Sequence, residues 1–268
     1  MLFRSATGVI PDWDQTLQQW VIRTTQNPAS CALEWARGIH KQKPFADQKI
    51  DWPKFQHWHE YCQAQGWKYN KVVDYKVNFW ELFSEIAAAG RAARTWIDGK
   101  LSAIVDEPKE FQVGPTLTPR NTSDLESEIN YPDLPHAFRC AFKNELAEYK
   151  DDERIVLDDG YQIEGLDAWG NPAPDLPPAT IFQELPLLGI THPDLIFRHA
   201  RYHFAAARLR EFEGHELTAH AEILVATRGD RVKCSHDVLL VGLAFGRVKE
   251  LVLESPSGYL AGVVLDEN

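Results

Sequence analysis

The residues whose types could do chemistry are few and scattered. The densest group of metal-ligand types is His57, His59, Glu60 and Cys62, inside a stretch with helical apolar spacing. Residues two apart on a helix lie about 200° apart around its axis, so His57 and His59 cannot converge on one ion, although His59 and Cys62 could. The stretch reads as a helix with Trp58 and Cys62 inside and the histidines at its margin. His199 and His203 have the four-residue separation of the HExxH zinc motif. Ala200 stands where that motif carries its general-base glutamate, so the pair reads as a coincidence of a helix surface.

Carboxylates cluster at Asp151-Asp152-Glu153 and at Asp158-Asp159. Glycoside hydrolysis needs two such groups facing one sugar across a defined gap, but adjacent charges beside a glycine and between strands are ordinarily solvated turn residues. No GxSxG elbow, GxxxxGK[ST] phosphate loop or strand–GxGxxG–helix unit occurs. The cysteines at 31, 62, 140 and 234 lie tens of residues apart, without CxxC spacing, and read as structural thiols. Trp13, Trp20, Trp35, Trp52, Trp58, Trp67, Trp80 and Trp96 all fall in the first hundred residues. Exposed, they could stack on sugar rings; several lie on apolar helical stripes, which favours the core. The residues thus assign no catalytic, cofactor or metal position.

The elements that would position these side chains can be read from periodicity. Asn27 and Pro28 make an N-cap and first turn before Ala29, Ala32, Leu33 and Ala36, and Gly38 stops the helix. A second helix begins near Asp51 with Pro53 in its first turn, carries Phe55, Trp58 and Cys62 on one side, and meets Gly66. Asn78 with Glu81 opens a third, through Leu82, Phe83, Ile86 and Ala87 to Gly90. The period then changes to two, where Thr95, Ile97, Leu101, Ala103 and Val105 flank Asp98-Gly99 in a hairpin signal. The Pro/Gly/Thr stretch from Pro108 to Pro119 marks a boundary between a helix-rich α+β subdomain over 1–110 and a mainly β domain over 111–268.

In the second part, strand patterns fall at 136–143, 153–158, 179–185, 218–227, 231–241, 246–254 and 258–265. Helical spacing from Pro193 to about Glu213 interrupts them. Leu166 to Pro178 is too proline-rich for a central strand and predicts an exposed loop carrying Trp169, Pro172 and Pro174.

Composition sets the outer limits. The chain has 268 residues, 44% hydrophobic and 25% charged, enough for one or two domains with a real core. Its 28 Lys+Arg against 39 Asp+Glu give a formal charge of −11, which disfavours neutralising phosphates over a broad surface and argues against nucleic-acid recognition. No apolar run reaches the ~18 residues of a membrane span, and Met1 to Asp14 lacks the pattern of a secretory signal.

The order of segments resembles the tail-tip, host-specificity proteins of long-tailed phages, the tip-attachment or protein J-like family. The resemblance runs from about residue 20 to 265. It is carried by Asn27-Pro28-Ala29, then Ile50-Asp51 with Phe55 and Tyr61-Cys62, Tyr69 to Asp74, and Trp96-Ile97-Asp98-Gly99-Lys100-Leu101 leading to Val105-Asp106-Glu107-Pro108. Pro135-His136-Ala137-Phe138-Arg139-Cys140-Ala141-Phe142 then stands where the family has a "P-N-A-V-x-V-x-[FY]" strand. Glu153 to Tyr161, the helix over 193–213, and Arg228-Gly229-Asp230-Arg231-Val232 before Gly246-Arg247-Val248 follow in the family's order. Each piece is short, and their succession is what carries the likeness. The Pro-rich loop around Trp169 is particular to this sequence.

The resemblance implies an α+β baseplate-hub module, with mainly antiparallel β-barrel-like domains and an N-terminal helix-rich α+β subdomain. It implies a structural role in a homotrimeric ring around the tail channel of a phage or prophage virion, made in the bacterial cytoplasm, with no enzymatic activity and no cofactor. Distal tail and tape-measure proteins would be its partners, with the host surface met through other parts of the full-length protein. Those proteins are longer, so this chain is expected to be an internal piece of one. The loop bearing Trp169, Pro172 and Pro174 is the expected contact with a neighbour. The rival class is a cell-wall carbohydrate-binding or hydrolysing tail module, which would need exposed tryptophans or convergent carboxylates.

Overall fold

The computed structural model describes residues 8–38, 43–108, 116–129, 133–209, 213–221, 226, 228–230, 232–235, 247–253 and 260–266. The fold is α+β, and the chain forms two compact units, one of 1–110, 127–214 and 227–229, the other of 111–126, 215–226 and 230–268. The boundary stretch begins where the chain first leaves the first unit, and residues 127–214, with the long helix, group with the N-terminal part.

The first unit opens on an antiparallel hairpin, β1 (Val9–Asp14) and β2 (Gln19–Thr24), with Trp13 opposite Trp20. It was not legible as strand, because Pro11 interrupts the run and the side chains turned inward include Asp12. Helix α1 (Pro28–Arg37) starts where Asn27 Oδ1 accepts the Ala29 N–H at 3.0 Å. The Asn27 side-chain amide donates to the His59 carbonyl at 3.0 Å, tying this cap to the next helix. The small residues Ala29, Ala32 and Ala36 are buried on one stripe and allow close helix packing.

Helix α2 (Trp52–Gln65) is capped by Asp51 and ends at Gly66, whose φ of 71° is the left-handed conformation glycine supplies without strain. Asp51 is also held to the following hairpin, accepting Ser102 Oγ–H at 2.9 Å while its N–H bonds the Leu101 carbonyl. Helix α3 (Phe79–Ala89) is capped by Asn78, which accepts the Trp80 N–H at 2.8 Å. Leu33, Phe55, Trp58 and Phe83 are fully buried among these three helices. Burial of such a side chain is worth about 1.5–3 kcal/mol, so this packing dominates the unit's stability.

Strands β3 (Ala92–Ile97) and β4 (Lys100–Val105) form the expected hairpin, with Asp98 and Gly99 at φ 50° and 71°, the pair of positive angles a two-residue turn of this hand needs. The structured segment Thr116–Leu117 is β5, and Thr122–Ile129 is β6; neither was expected as strand.

Strand β7 (Ala137–Asn144) pairs antiparallel with β8 (Lys150–Leu157) and parallel with the short β9 (Phe182–Glu184). Phe138, Cys140, Phe142 and Val156 turn to one face, which α4 (Pro193–Leu209) covers. On the other face Arg139, Ala141 and Lys143 alternate outward, as a half-solvated antiparallel pair requires. The helix expected over 193–213 is present from Pro193 through Leu209; 210–212 lie outside the described residues, and Glu213 opens the next strand instead of ending the helix.

In the second unit β10 (Glu213–Ala219) neighbours β6, β11 (Lys233–Cys234) pairs parallel with β5, and β12 (Arg247–Leu253) pairs antiparallel with β13 (Leu260–Asp266). Of the strand expected over 218–227, Thr218 and Ala219 end β10, while His220 and Ala221 lie outside any strand. Residues 222–225 and 227 of it, 231 and 236–241 of the expected 231–241 strand, and the Ser257-Gly258 turn lie outside the described residues. Among the described residues the strands make five two-stranded sheets and one three-stranded sheet, and no helix is long and apolar enough to cross a membrane.

Candidate functional site

The structure separates the residues that looked like a metal cluster. On α2, His57 is exposed and meets Glu107 at 2.7 Å, Glu60 accepts the Trp13 indole N–H at 2.9 Å, and Cys62 is buried. His59 is not marginal, as its place in the pattern suggested. It is 2% exposed and its Nε2 lies 2.6 Å from Asp12 Oδ1. Among the described residues no group of three or more His, Cys, Asp and Glu could hold a metal ion.

Asp12, from β1, is the centre of a buried polar network. Ser30 Oγ donates to the same Oδ1 at 2.9 Å, and Arg23 Nε donates to Oδ2 at 2.6 Å. Burial pulls the Asp12 carboxyl upward, but hydrogen bonds from His59, Thr25 and Arg23 outweigh it and hold Asp12 below the usual carboxylate range. Burial pushes the His59 pKa down against the pull of Asp12, which favours the neutral imidazole, and its Nε2–H donates a hydrogen bond to the carboxylate.

The residue types are those of a nucleophile triad, but the wiring differs. Ser30 donates to the carboxylate and not to the imidazole, so nothing draws off its proton, and His59 Nδ1 is buried without a hydrogen-bond partner. The arrangement holds one buried anion with donors that include Arg23 of β2, Ser30 of α1 and His59 of α2, and so ties β1, β2, α1 and α2 together.

His199 also departs from the surface position expected of it. It is 2% exposed with its ring 4.5 Å from that of Trp67. Burial, reinforced by Arg91, His203 and Arg198, pushes its pKa down to about 3, so it is neutral. His203 points elsewhere, its ring edge-on to Phe138.

The carboxylates also sort differently from the expectation. Asp151, Asp152 and Glu153 lie on strand β8 and are exposed. Asp158 is buried and paired with Arg208, because α4 crosses the end of β8 there. Asp159 meets Arg201 at 2.6 Å. That hydrogen bond, against some burial and aided by Arg208 and the Trp169 indole, holds Asp159 below the ordinary carboxylate range. Arg208 also lies 4.0 Å from Asp159, so one guanidinium serves both acids.

A concavity of the first unit lies along α4. A cavity of about 580 Å³ is walled by Trp67, Tyr202, Trp169 and three guanidinium groups, Arg91, Arg198 and Arg201. Arg91, from the turn after α3, pairs with Asp106 at 2.9 Å and lies on the Tyr202 ring. Arg201 donates to the Leu157 carbonyl at 3.2 Å as well as to Asp159, and its guanidinium sits 5.3 Å from the Trp169 ring centre. Arg198 lies 4.1 Å over Trp67 and donates to the Gln65 carbonyl at 2.9 Å.

Trp169 is on the predicted loop, and at 63% exposure it is a surface side chain, but it is held against its own chain: Phe197 of α4 meets it edge-on at 5.4 Å. Asp167 Oδ1 accepts the N–H groups of Trp169 and Asn171, each at 2.8 Å, bracing the turn. Pro172 and Pro174 stay exposed further along the loop. The basic cluster was missed in the sequence because Arg91 is distant in the chain. Phe197, Arg198, Arg201 and Tyr202 do share one face of α4 by their spacing, and that stripe is the signal that could have found it.

The tryptophans of the first hundred residues mainly serve packing. Trp13, Trp58 and Trp67 are buried, and Trp20, Trp35, Trp52 and Trp80 pack partly buried against the core. Trp96 is exposed, flanked edge-on by Phe45 and Trp80. Comparison of the chain with models of protein families and with curated proteins gives no match.

Proposed function

We propose that this chain is a structural segment of the tail tip or baseplate hub of a long-tailed phage or prophage, acting through shape and subunit contacts in a ring around the tail channel. The observation that carries the reading is the ordered succession of family-like segments together with where they fall in the fold. Asn27-Pro28-Ala29 opens α1, Ile50-Asp51 opens α2, Trp96 to Leu101 turns the β3–β4 hairpin, and Ala137 to Phe142 lies in the central strand β7. Segments that begin and turn elements are those a shared fold preserves most readily in order.

In this reading the strands contribute to barrel-like hub domains, three copies surround the channel, and distal tail and tape-measure proteins are the neighbours. The acidic balance suits a passage that DNA must cross without sticking. The neighbour contact is made by the loop bearing the exposed Trp169, Pro172 and Pro174, whose prolines and whose bracing of Trp169 by Phe197 leave little freedom to lose on docking. The chain carries out no bond-making step, and its contribution to host attachment is to hold the receptor-binding parts of the longer protein.

Antibodies raised against this chain test the reading on purified phage particles. Gold label at the tail tip is the expected image. Label on capsids, or particles that lack the polypeptide altogether, would overturn it.

A further inference from the structure

We propose that the cavity along α4 is a binding site for a saccharide carrying an anionic group, a carboxylate or a phosphate. The site lies within the first unit and does not depend on the tail-tip reading. It is a depression of about 580 Å³ open to solvent, within the size range of small-molecule sites and shaped for a ligand laid along a surface.

Charge selects the ligand first. Arg91 and Arg201 have carboxylate partners in Asp106 and Asp159. Arg198 bonds only the backbone and side-chain oxygens of Gln65 and rests on Trp67; among the described residues it has no ion-pair partner. A chain of net charge −11 thus keeps one uncompensated guanidinium at the wall of an aromatic cavity. Such a group gains most from a planar or tetrahedral oxyanion, which it can grip with two parallel N–H bonds.

Ring geometry selects the rest. Of the rings at the cavity, Trp67 is buried beneath Arg198 and Tyr202 carries Arg91, while Trp169, although Arg201 sits 5.3 Å from its centre, is the most exposed. A puckered sugar ring needs only one aromatic face for its C–H groups. Trp169 offers that at the cavity wall, largely exposed and held in place by the Asp167 turn and Phe197. Because the platform is braced before binding, little ordering is left to oppose association.

Titration calorimetry on the whole chain tests this with a glucuronic-acid disaccharide, its neutral counterpart, glucose 1-phosphate, inorganic phosphate and a tetraglutamate peptide. The expected result is binding of one or both acidic sugars about tenfold or more tighter than of the neutral sugar, phosphate or peptide. The relative affinities of uronate and phosphosugar tell which anion the site takes. Arg198→Ala and Trp169→Ala should each weaken acidic-sugar binding about tenfold, and Arg198→Lys should fall between, with thermal melting unchanged in all three. Phosphate or tetraglutamate binding as tightly as the sugars, absence of acidic-sugar binding, or affinity unaltered in Arg198→Ala would overturn the proposal.

Discussion

Two charged regions of the first unit use the same side-chain chemistry to opposite ends. Around Asp12 a buried carboxylate is held by Arg23, Ser30 and His59, and the result ties two strands to two helices. Along α4 three guanidiniums meet aromatic rings beside open space, and among the described residues Arg198 has no carboxylate partner. The first region closes its charges upon one another and stabilises the fold. The second leaves charge available, and availability is what recognition of a ligand requires.

The largest break in that contrast comes from Asp12→Ala. It leaves His59 and Ser30 buried without their acceptor, and a loss of about 3–5 kcal/mol in urea unfolding is expected. A loss below about 1 kcal/mol would mean that the network is incidental to stability.

Next is pH. His59 and His199 are neutral in the fold with pKa values pushed below the usual histidine value, for His199 to about 3. The unfolded chain therefore takes up more protons as pH falls below about 6.5, and stability falls with it. His199 contributes a slope approaching about 1.4 kcal/mol per pH unit until its folded pKa near 3 is reached, and His59 adds to the loss in the same direction. Asp12, held low, adds its own loss only below its ordinary value near 3.8. Because Arg91, Arg198, His203 and Trp67 surround His199, replacing it by Phe removes the titration without removing the packing. Urea unfolding at stepped pH values should then show a slope smaller by about one proton.

A smaller effect tests how tightly the floor between the two regions is built. A Cβ at Gly90 would lie 2.8 Å from both Pro28 Cβ and Trp58 Nε1, whose indole N–H bonds the Gly90 carbonyl. Gly90→Ala should cost about 1–3 kcal/mol, read as a lower unfolding midpoint at unchanged slope. The smallest expected stability change is at the open region, where Arg198→Ala should move the unfolding free energy by less than about 0.5 kcal/mol. A large loss there would make Arg198 a structural residue like Arg23.

The sequence was legible where one local signal decides the backbone. Asn27-Pro28, Asp51 with Gly66, Asn78, and Asp98-Gly99 each mark an element end, and each element is where its signal put it. It was illegible where a distant partner decides. Asp12 turns inward because Arg23 and His59 meet it, and the β1–β2 hairpin was hidden by that inward polar residue and by Pro11. Asp158 reads locally as a solvated turn, yet Arg208 of α4 crosses over it. The α4 cavity is the same case, since Arg91 and Trp169 reach it from separate parts of the chain.

The central claim, a subunit of a tail-tip ring, is met most directly by weighing the full polypeptide that its gene encodes in solution by native mass spectrometry. The account predicts three times the mass of a single polypeptide. A monomer across the concentrations at which phage tails assemble would contradict it.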